Sequence, residues 1–284
     1  MASSASRPDA LGPLNPGNVV SAALRLYRDR FKMYFGLAVK AYLWLLVPIY
    51  GWAKYFEIAG IMSRLAFQDV ISQPETPDEA RRQVDAKLWS FLGLGLLVGL
   101  LFIAAYLVLL IAAFIPGLVV GGVAAVVLSP VFGENVGPAI GVALGGLIGL
   151  AIFVVGFIWL VSRLLIPEVP LAIEPDVTAS DSISRSWSLT KTSVIRIQFV
   201  VVAAFLITLP VVLLLNYLPQ ILLLGLEPGS SAYWLVYTLT LVLSFFGGMV
   251  VLPFWQAVKG VLYYDLRSRR EGLDLQLRNP KSGL

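Results

Sequence analysis

Four long apolar runs dominate the chain: Leu88 to Ile115, Val136 to Leu165, Phe199 to Leu226 and Tyr233 to Tyr264. A helix rises 1.5 Å per residue, so about 20 residues cross a hydrocarbon core about 30 Å thick. Each run has that length and predicts a membrane span. The stretch Met33 to Gln68 is more mixed. Met33 to Tyr50 can span, while Ile49 to Phe67 contains Lys54, Glu57 and Arg64 and suits an interfacial helix as well. Charge placement favours two further spans, Met33 to Val47 outward and Trp52 to Phe67 back, with a turn at Pro48 to Gly51. The outer segments are then Pro48 to Gly51, Pro116 to Gly137 and Asn216 to Ser231, which hold no Lys or Arg and only Glu134 and Glu227 as charges. Among the basic residues, Lys40, Lys54 and Lys259 fall inside proposed spans, and the others lie on tails, connections or helix ends of the opposite face. Five spans would place Arg25 to Lys32 and Arg267 to Arg270 on opposite sides, against the excess of Lys and Arg on cytoplasmic segments. The pattern therefore predicts six spans with both termini cytoplasmic.

A second, amphipathic pattern precedes each pair of spans. Val20, Leu24, Tyr27 and Phe31 recur at helical spacing, with Arg25, Arg28 and Lys32 off that stripe. Ile183, Trp187, Thr190 and Val194 repeat the spacing, and Lys191 takes the place of Arg28. A looser copy, Ala80, Val84, Leu88 and Phe91, follows Thr76 and Glu79, which are spaced as a capping box; Thr178 and Asp181 offer the same before the copy at Ile183. The prediction is an all-α, polytopic membrane bundle of about six transmembrane helices, arranged as three antiparallel hairpins, each entered through an amphipathic cytoplasmic elbow helix. Such elbows either lie at headgroup level with basic residues toward anionic lipid, or dock a soluble protein partner. By connectivity, residues 18–272 form one membrane domain with hairpin units 18–73, 74–177 and 178–272. Residues 1–17, rich in Pro, Gly and Ser, form a flexible N-terminal tail, and 273–284 a C-terminal tail.

Composition narrows the chemistry. Of 284 residues, 58% are hydrophobic and 13% charged, with a mean hydropathy of +0.84, against roughly 45–50% and about 25% in soluble domains. Cysteine and histidine are absent. That removes disulfides, thiolate nucleophiles, imidazole bases and the usual nitrogen and sulfur metal ligands. No phosphate-binding loop or nucleophile elbow appears, and the glycines of Gly141 to Gly149 lie in an apolar helix, not at a strand-to-helix turn. The net charge of +4, in a membrane protein, speaks of sidedness and not of nucleic acid. No catalytic residue, metal site or cofactor is expected, and the partners expected are anionic lipid headgroups together with a protein partner or a second copy.

Several residues stand out within this frame. Gly137, Gly141, Gly145 and Gly149 recur every fourth position and make a face on which another helix packs closely, within the chain or across a homodimer. Lys40, Lys54 and Glu57 lie at or near hydrocarbon depth, where a central charge costs at least about 2.5–3.5 kcal/mol. Glu57 at i+3 from Lys54 pairs with it along one helix; the alternative makes Lys40 and Glu57 part of a polar path of a small transporter. The segment 118–128 is apolar but too short to span, leaving it interfacial, re-entrant or an extension of the third span. At the cytoplasmic exits, Arg28, Arg163, Arg185, Lys191, Arg196, Asp265, Arg267, Arg269 and Arg270 form a polar layer for lipid or a partner, with Tyr263 and Tyr264 at the interface.

RLLIPEVPLAIEPDVTASDSISRSWSLTKT from Arg163, followed by YYDLRSRREGLDL from Tyr263, resembles the membrane domain that precedes some bacterial glycerophosphoryl diester phosphodiesterases and that occurs alone in many bacterial membrane proteins. NVVSAALRLYRDRFKMYFG and LVPIYGWAKYFEIAGIMSRLAF look like segments of cyanobacterial membrane proteins. The resemblance implies a plasma (inner) membrane or thylakoid location. It carries over no catalytic residue, because the phosphodiesterase barrel is separate and depends on histidines. The expected role is that of a non-enzymatic membrane protein organising lipids or partners at the cytoplasmic face.

Overall fold

A computed structural model describes residues 14–278, and among them every regular element is helical. The outer parts of the two expected flexible tails, 1–13 and 279–284, lie outside the described residues. In chain order the helices are α1 (Pro16–Asp29), α2 (Phe31–Trp44), α3 (Tyr50–Val70), α4 (Pro77–Val84), α5 (Leu88–Phe132), α6 (Val136–Arg163), α7 (Glu168–Ile173), α8 (Ala179–Thr190), α9 (Val194–Val212), α10 (Leu218–Leu223), α11 (Ser231–Glu271) and α12 (Leu273–Arg278). A 3-10 turn joins α4 to α5 and a π turn joins α9 to α10. The N-terminal tail ends earlier than expected: Leu14 is buried and α1 begins at Pro16.

Four helical stretches have the length and composition to cross a membrane: Pro77–Phe132, Val136–Ile173, Val194–Leu223 and Ser231–Glu271. The first two proposed spans do not join them. With 14 residues α2 reaches only about 21 Å, short of a hydrocarbon core of about 30 Å. Lys54, Glu57 and Arg64 all lie in α3, which is buried from Glu57 to Phe67. Its apolar residues face protein, a distinction that hydropathy does not register. The expected outer segment Pro116 to Gly137 also changes. Of the alternatives left open there, extension of the third span is the one found: α5 continues through Pro116 and Pro130 to Phe132, and α6 starts at Val136. The turn is confined to residues 133–135, with Gly133 at φ 89°, a left-handed value that suits glycine.

Contacts divide the chain into two compact units, residues 1–95 with 166–284, and residues 96–165. The smaller unit is an antiparallel pair of helices, in which Tyr106 meets Phe153 and Phe102 meets Phe157. The four glycines of α6 form its seam. A Cβ on Gly145 would lie 2.2 Å from the carbonyl oxygen of Gly117, one on Gly141 2.5 Å from that of Gly121, one on Gly137 2.4 Å from Ser129 Cα, and one on Gly149 3.0 Å from the carbonyl oxygen of Ala113. The backbones approach as closely as small residues permit, the packing mode that membrane helices use where lipid offers no competing hydrophobic drive.

In the larger unit, α11 does two jobs along its length. Its first half exposes Trp234, Leu235, Leu239 and Val242, whereas Phe254, Ala257, Val258, Val261, Leu262, Tyr263 and Tyr264 are buried. The buried half packs chiefly against α3 and α1, and α3 comes nearest at Gly260, where a Cβ would meet the carbonyl oxygen of Ser63 at 2.4 Å. The amphipathic helices assemble around this half. Both expected capping boxes form, Thr76 with Glu79 and Thr178 with Asp181. Hydrogen bonds from the Thr178 hydroxyl and backbone hold the Asp181 carboxyl below its usual range. On α4 the expected stripe is the buried one, Ala80 and Val84, continuing to Phe91 on α5. On α1 and α8 only part of the expected stripe is buried, Val20 and Tyr27 on one and Thr190 on the other, and the buried face extends to Val19, Ala22 and Ala23 and to Ser182, Ser186 and Leu189. Leu24, Phe31 and Trp187, which belong to the apolar stripes, remain exposed.

The glycine seam makes a direct prediction. Gly145→Ala forces α5 and α6 apart and lowers stability by about 1–3 kcal/mol, the usual cost of overpacking. Gly146→Ala, whose Cβ meets nothing within 4 Å, is neutral or slightly stabilising, because alanine is the better helix former. Thermal unfolding of the two variants in detergent checks the contrast.

Candidate functional site

The best-defined polar constellation is centred on Asp265, a fully buried carboxylate in the last turns of α11. It accepts hydrogen bonds from the backbone N–H of Leu14 at 2.7 Å, from Arg196 Nε at 3.0 Å and from Arg269 Nε at 3.2 Å. Arg269 Nη2 in turn donates to the carbonyl oxygen of Leu14 at 3.0 Å. Arg269 lies one turn beyond Asp265 on the same helix, a spacing that local geometry supplies. Arg196, in the first turn of α9, and Leu14, before α1, come from distant sequence. Charge-assisted bonds of this kind are short and strong, and burial makes each member depend on the others. The carboxylate therefore ties α9 and the chain preceding α1 to the end of α11.

A second cluster sits around Glu174 and Glu271. Arg185 on α8 reaches Glu174 at 3.1 Å and Glu271 at 2.6 Å, and Arg267 also meets Glu271 at 2.8 Å while its guanidinium lies over the Tyr263 ring. The Tyr263 hydroxyl donates to Glu174. Lys87 donates to the carbonyl oxygens of Leu171 and Glu174, at 3.2 and 2.6 Å. Further ion pairs join Arg64 with Glu75 at 2.7 Å, Arg30 with Asp69 at 3.1 Å and Lys259 with Glu168. Arg64 also donates to the carbonyl oxygen of Ala172 and to Gln83. Much of the larger unit's polar end is thus an internal lattice.

Most of the candidate basic residues belong to it. Arg185, Arg196, Asp265, Arg267 and Arg269 are held in the clusters above, and Arg270 donates to the Thr192 hydroxyl at 2.8 Å. Arg28 is exposed, and among the described residues its ionic partner is its neighbour Asp29 at 3.4 Å. Lys191 is exposed at the end of α8. Arg163 closes α6 in the smaller unit, buried, with its guanidinium over the Trp159 ring at 5.4 Å. Of the intramembrane candidates, Lys54 and Glu57 pair at 2.8 Å as their spacing predicts, and Asp85 joins Lys54 from the 3-10 turn at 3.4 Å. Lys40 is exposed on α2 and makes no ion pair or hydrogen bond among the described residues, so it is not brought together with Glu57. Sequence reasoning missed Asp85, the pairs of Arg64 with Glu75 and of Lys259 with Glu168, and the role of Leu14. None of these has a local spacing that would betray it. Among the described residues no group of three or more acidic side chains is placed to hold a metal ion.

Several apolar membrane-length helices and an ion-paired polar end define an all-helical, multi-pass membrane protein. Residues 142–281 match the family model described as the membrane domain of glycerophosphoryl diester phosphodiesterase. The matched segment contains every candidate of the polar layer except Arg28. No curated protein and no solved structure matches the chain.

The Asp265 cluster predicts a large effect from one atom's change. Asp265→Asn leaves two guanidinium groups without their carboxylate and costs about 3–5 kcal/mol, as expected on breaking a buried ion pair. A denaturation midpoint in detergent checks the magnitude. Faster amide hydrogen exchange at Leu14 in the variant checks that the N-terminal segment has been released.

Proposed function

We propose that this chain is a non-enzymatic membrane protein that organises anionic lipids at the cytoplasmic face of a bacterial plasma membrane. The observation that carries the reading is the division of α1 and α8 into three faces. Val19, Ala23 and Tyr27 on α1 and Ser182, Ser186 and Leu189 on α8 pack on protein, Leu24 and Trp187 stay exposed, and Arg25, Arg28 and Lys191 stand beside them. A helix with one apolar face exposed and cations along its edge suits the headgroup level of an anionic bilayer.

The same reading assigns the threading. The α2–α3 hairpin enters the membrane part-way and returns, while α5, α6, α9 with α10, and α11 cross. Tyr42, near the tip of α2, packs on Phe245 of α11, well short of the other end of α11 at Ser231. Trp44, Tyr50, Trp52 and Trp89 are exposed around that tip, an apolar surface that suits lipid better than water. Four crossings keep the parity of six, so both termini and all three elbow helices remain cytoplasmic, and the turn holding Glu134 stays outside. The alternative of a small transporter draws less support, because its polar path needs Lys40 beside Glu57.

Topology and lipid dependence give separate tests. In a chain without cysteine, Ser180→Cys is labelled by an impermeant thiol reagent from the cytoplasmic side and Glu134→Cys from outside, while Pro48→Cys is labelled from neither. Labelling of Pro48→Cys from outside restores six full spans. For function, Arg25→Gln with Arg28→Gln lowers the anionic lipid that co-purifies with the full chain, at about 1 kcal/mol for each basic residue removed near the surface. Unchanged lipid content would shift the elbows to protein docking.

A further inference from the structure

At the head of α9 lies a cleft of about 610 Å³, bounded by the start of α1, the turn between α8 and α9, and the end of α11. Its walls have two characters. Lys191, Arg196 and Arg269 make one side cationic, with Thr192 and Ser193 supplying hydroxyls. Ile195 and Phe199, one turn apart on α9, are 75% and 65% exposed and make the other side apolar. From Val194 onward the same helix is one of the membrane-length stretches.

The cationic wall is held in place from behind. Arg196 and Arg269 anchor on the buried Asp265, and Arg270 fixes Thr192 from the rim. A guanidinium has five N–H donors, of which these anchors use only part. Two guanidinium groups, those of Arg196 and Arg269, share one buried carboxylate, which leaves this wall with net positive charge. Donors already anchored and oriented cost little to order when an anion arrives. An anion alone would explain the cations but not Ile195 and Phe199.

We infer that this cleft is a binding site for one anionic phospholipid, its phosphate against Lys191, Arg196 and Thr192 and its acyl chains along Ile195 and Phe199. The inference rests on the lipid-organising reading and narrows it from a charged face to a single site. The shared chemistry is that of a phosphate group, and the occupant is a lipid rather than free phosphate because the apolar wall continues directly into a membrane-length helix.

The test uses the purified full chain in detergent, titrated with dihexanoyl phosphatidylglycerol, dihexanoyl phosphatidylcholine and inorganic phosphate, with adducts counted by native mass spectrometry. The expected result is one saturable phosphatidylglycerol site at least about tenfold tighter than either of the others, a factor within reach of a few charge-assisted hydrogen bonds. Lys191→Gln weakens it about fivefold, the effect of one surface cation. Lys32→Gln, an exposed lysine outside the cleft, leaves it unchanged. Both substitutions are exposed, and circular dichroism confirms that each variant keeps its helix content. Equal weakening by the two variants overturns the cleft while the broader reading of a lipid-binding basic face stands. Phosphate binding as tightly as phosphatidylglycerol overturns the lipid as occupant. No preference for phosphatidylglycerol over phosphatidylcholine overturns both the site and the reading on which it rests.

Discussion

The larger unit depends on one buried carboxylate. Asp265 has no exposed surface, yet it joins three parts of the chain far apart in sequence: Leu14, Arg196 and Arg269. Burying an ion is expensive and is offset only when its lone pairs are satisfied by well-placed donors. That requirement fixes geometry. α9 must begin where Arg196 reaches the carboxylate, and the chain before α1 must run where the Leu14 amide reaches it. With those points set, α1 lies along α11 and α9, and the cleft at the head of α9 acquires its cationic wall.

α11 makes such a hub possible. Its 41 residues rise about 62 Å, roughly twice what a bilayer's hydrocarbon core needs. One half presents apolar side chains outward, and the other is the centre of a protein core built from α1, α3 and the short helices. Both halves read as hydrophobic, which is why the run to Tyr264 looks like a single long span. The difference is what each half touches. Gly260 admits α3 to van der Waals contact with α11, and from there to Ser268 the helix is almost wholly buried.

What could be read from the sequence was what is local. The capping boxes at Thr76 and Thr178, the Lys54–Glu57 pair and the repeat of glycines on α6 are all set by spacings of three or four residues, and each takes the predicted form. The four longest apolar runs mark the four membrane-length stretches, with α5 running beyond its expected end. Faces were harder to read. In water an apolar stripe and a buried stripe coincide, but at a membrane surface a helix has an apolar face for protein and another for lipid. Periodicity alone therefore placed Leu24 and Trp187 on the same footing as Tyr27 and Thr190. Long-range polar partners were the least legible. Nothing local joins Leu14 to Asp265, 251 residues away, or Lys87 to the carbonyl oxygens of Leu171 and Glu174 at the end of α7. The candidate cations at the helix exits were found by type and position, and the lattice that holds most of them had to be seen.

Coupling through Asp265 is what organises this end of the molecule, and a double-mutant cycle between Asp265→Asn and Arg196→Gln measures it directly. Contacting members of one ion-pair network show interaction energies of about 0.5–3 kcal/mol, whereas independent sites add to within about 0.3–0.5 kcal/mol. With unfolding free energies read in detergent, the predicted result is a coupling above about 1 kcal/mol, the double variant being less destabilised than the sum of its parts. Additive losses would mean that Arg196 and Asp265 stabilise the protein separately, and that the carboxylate does not organise this end of the molecule.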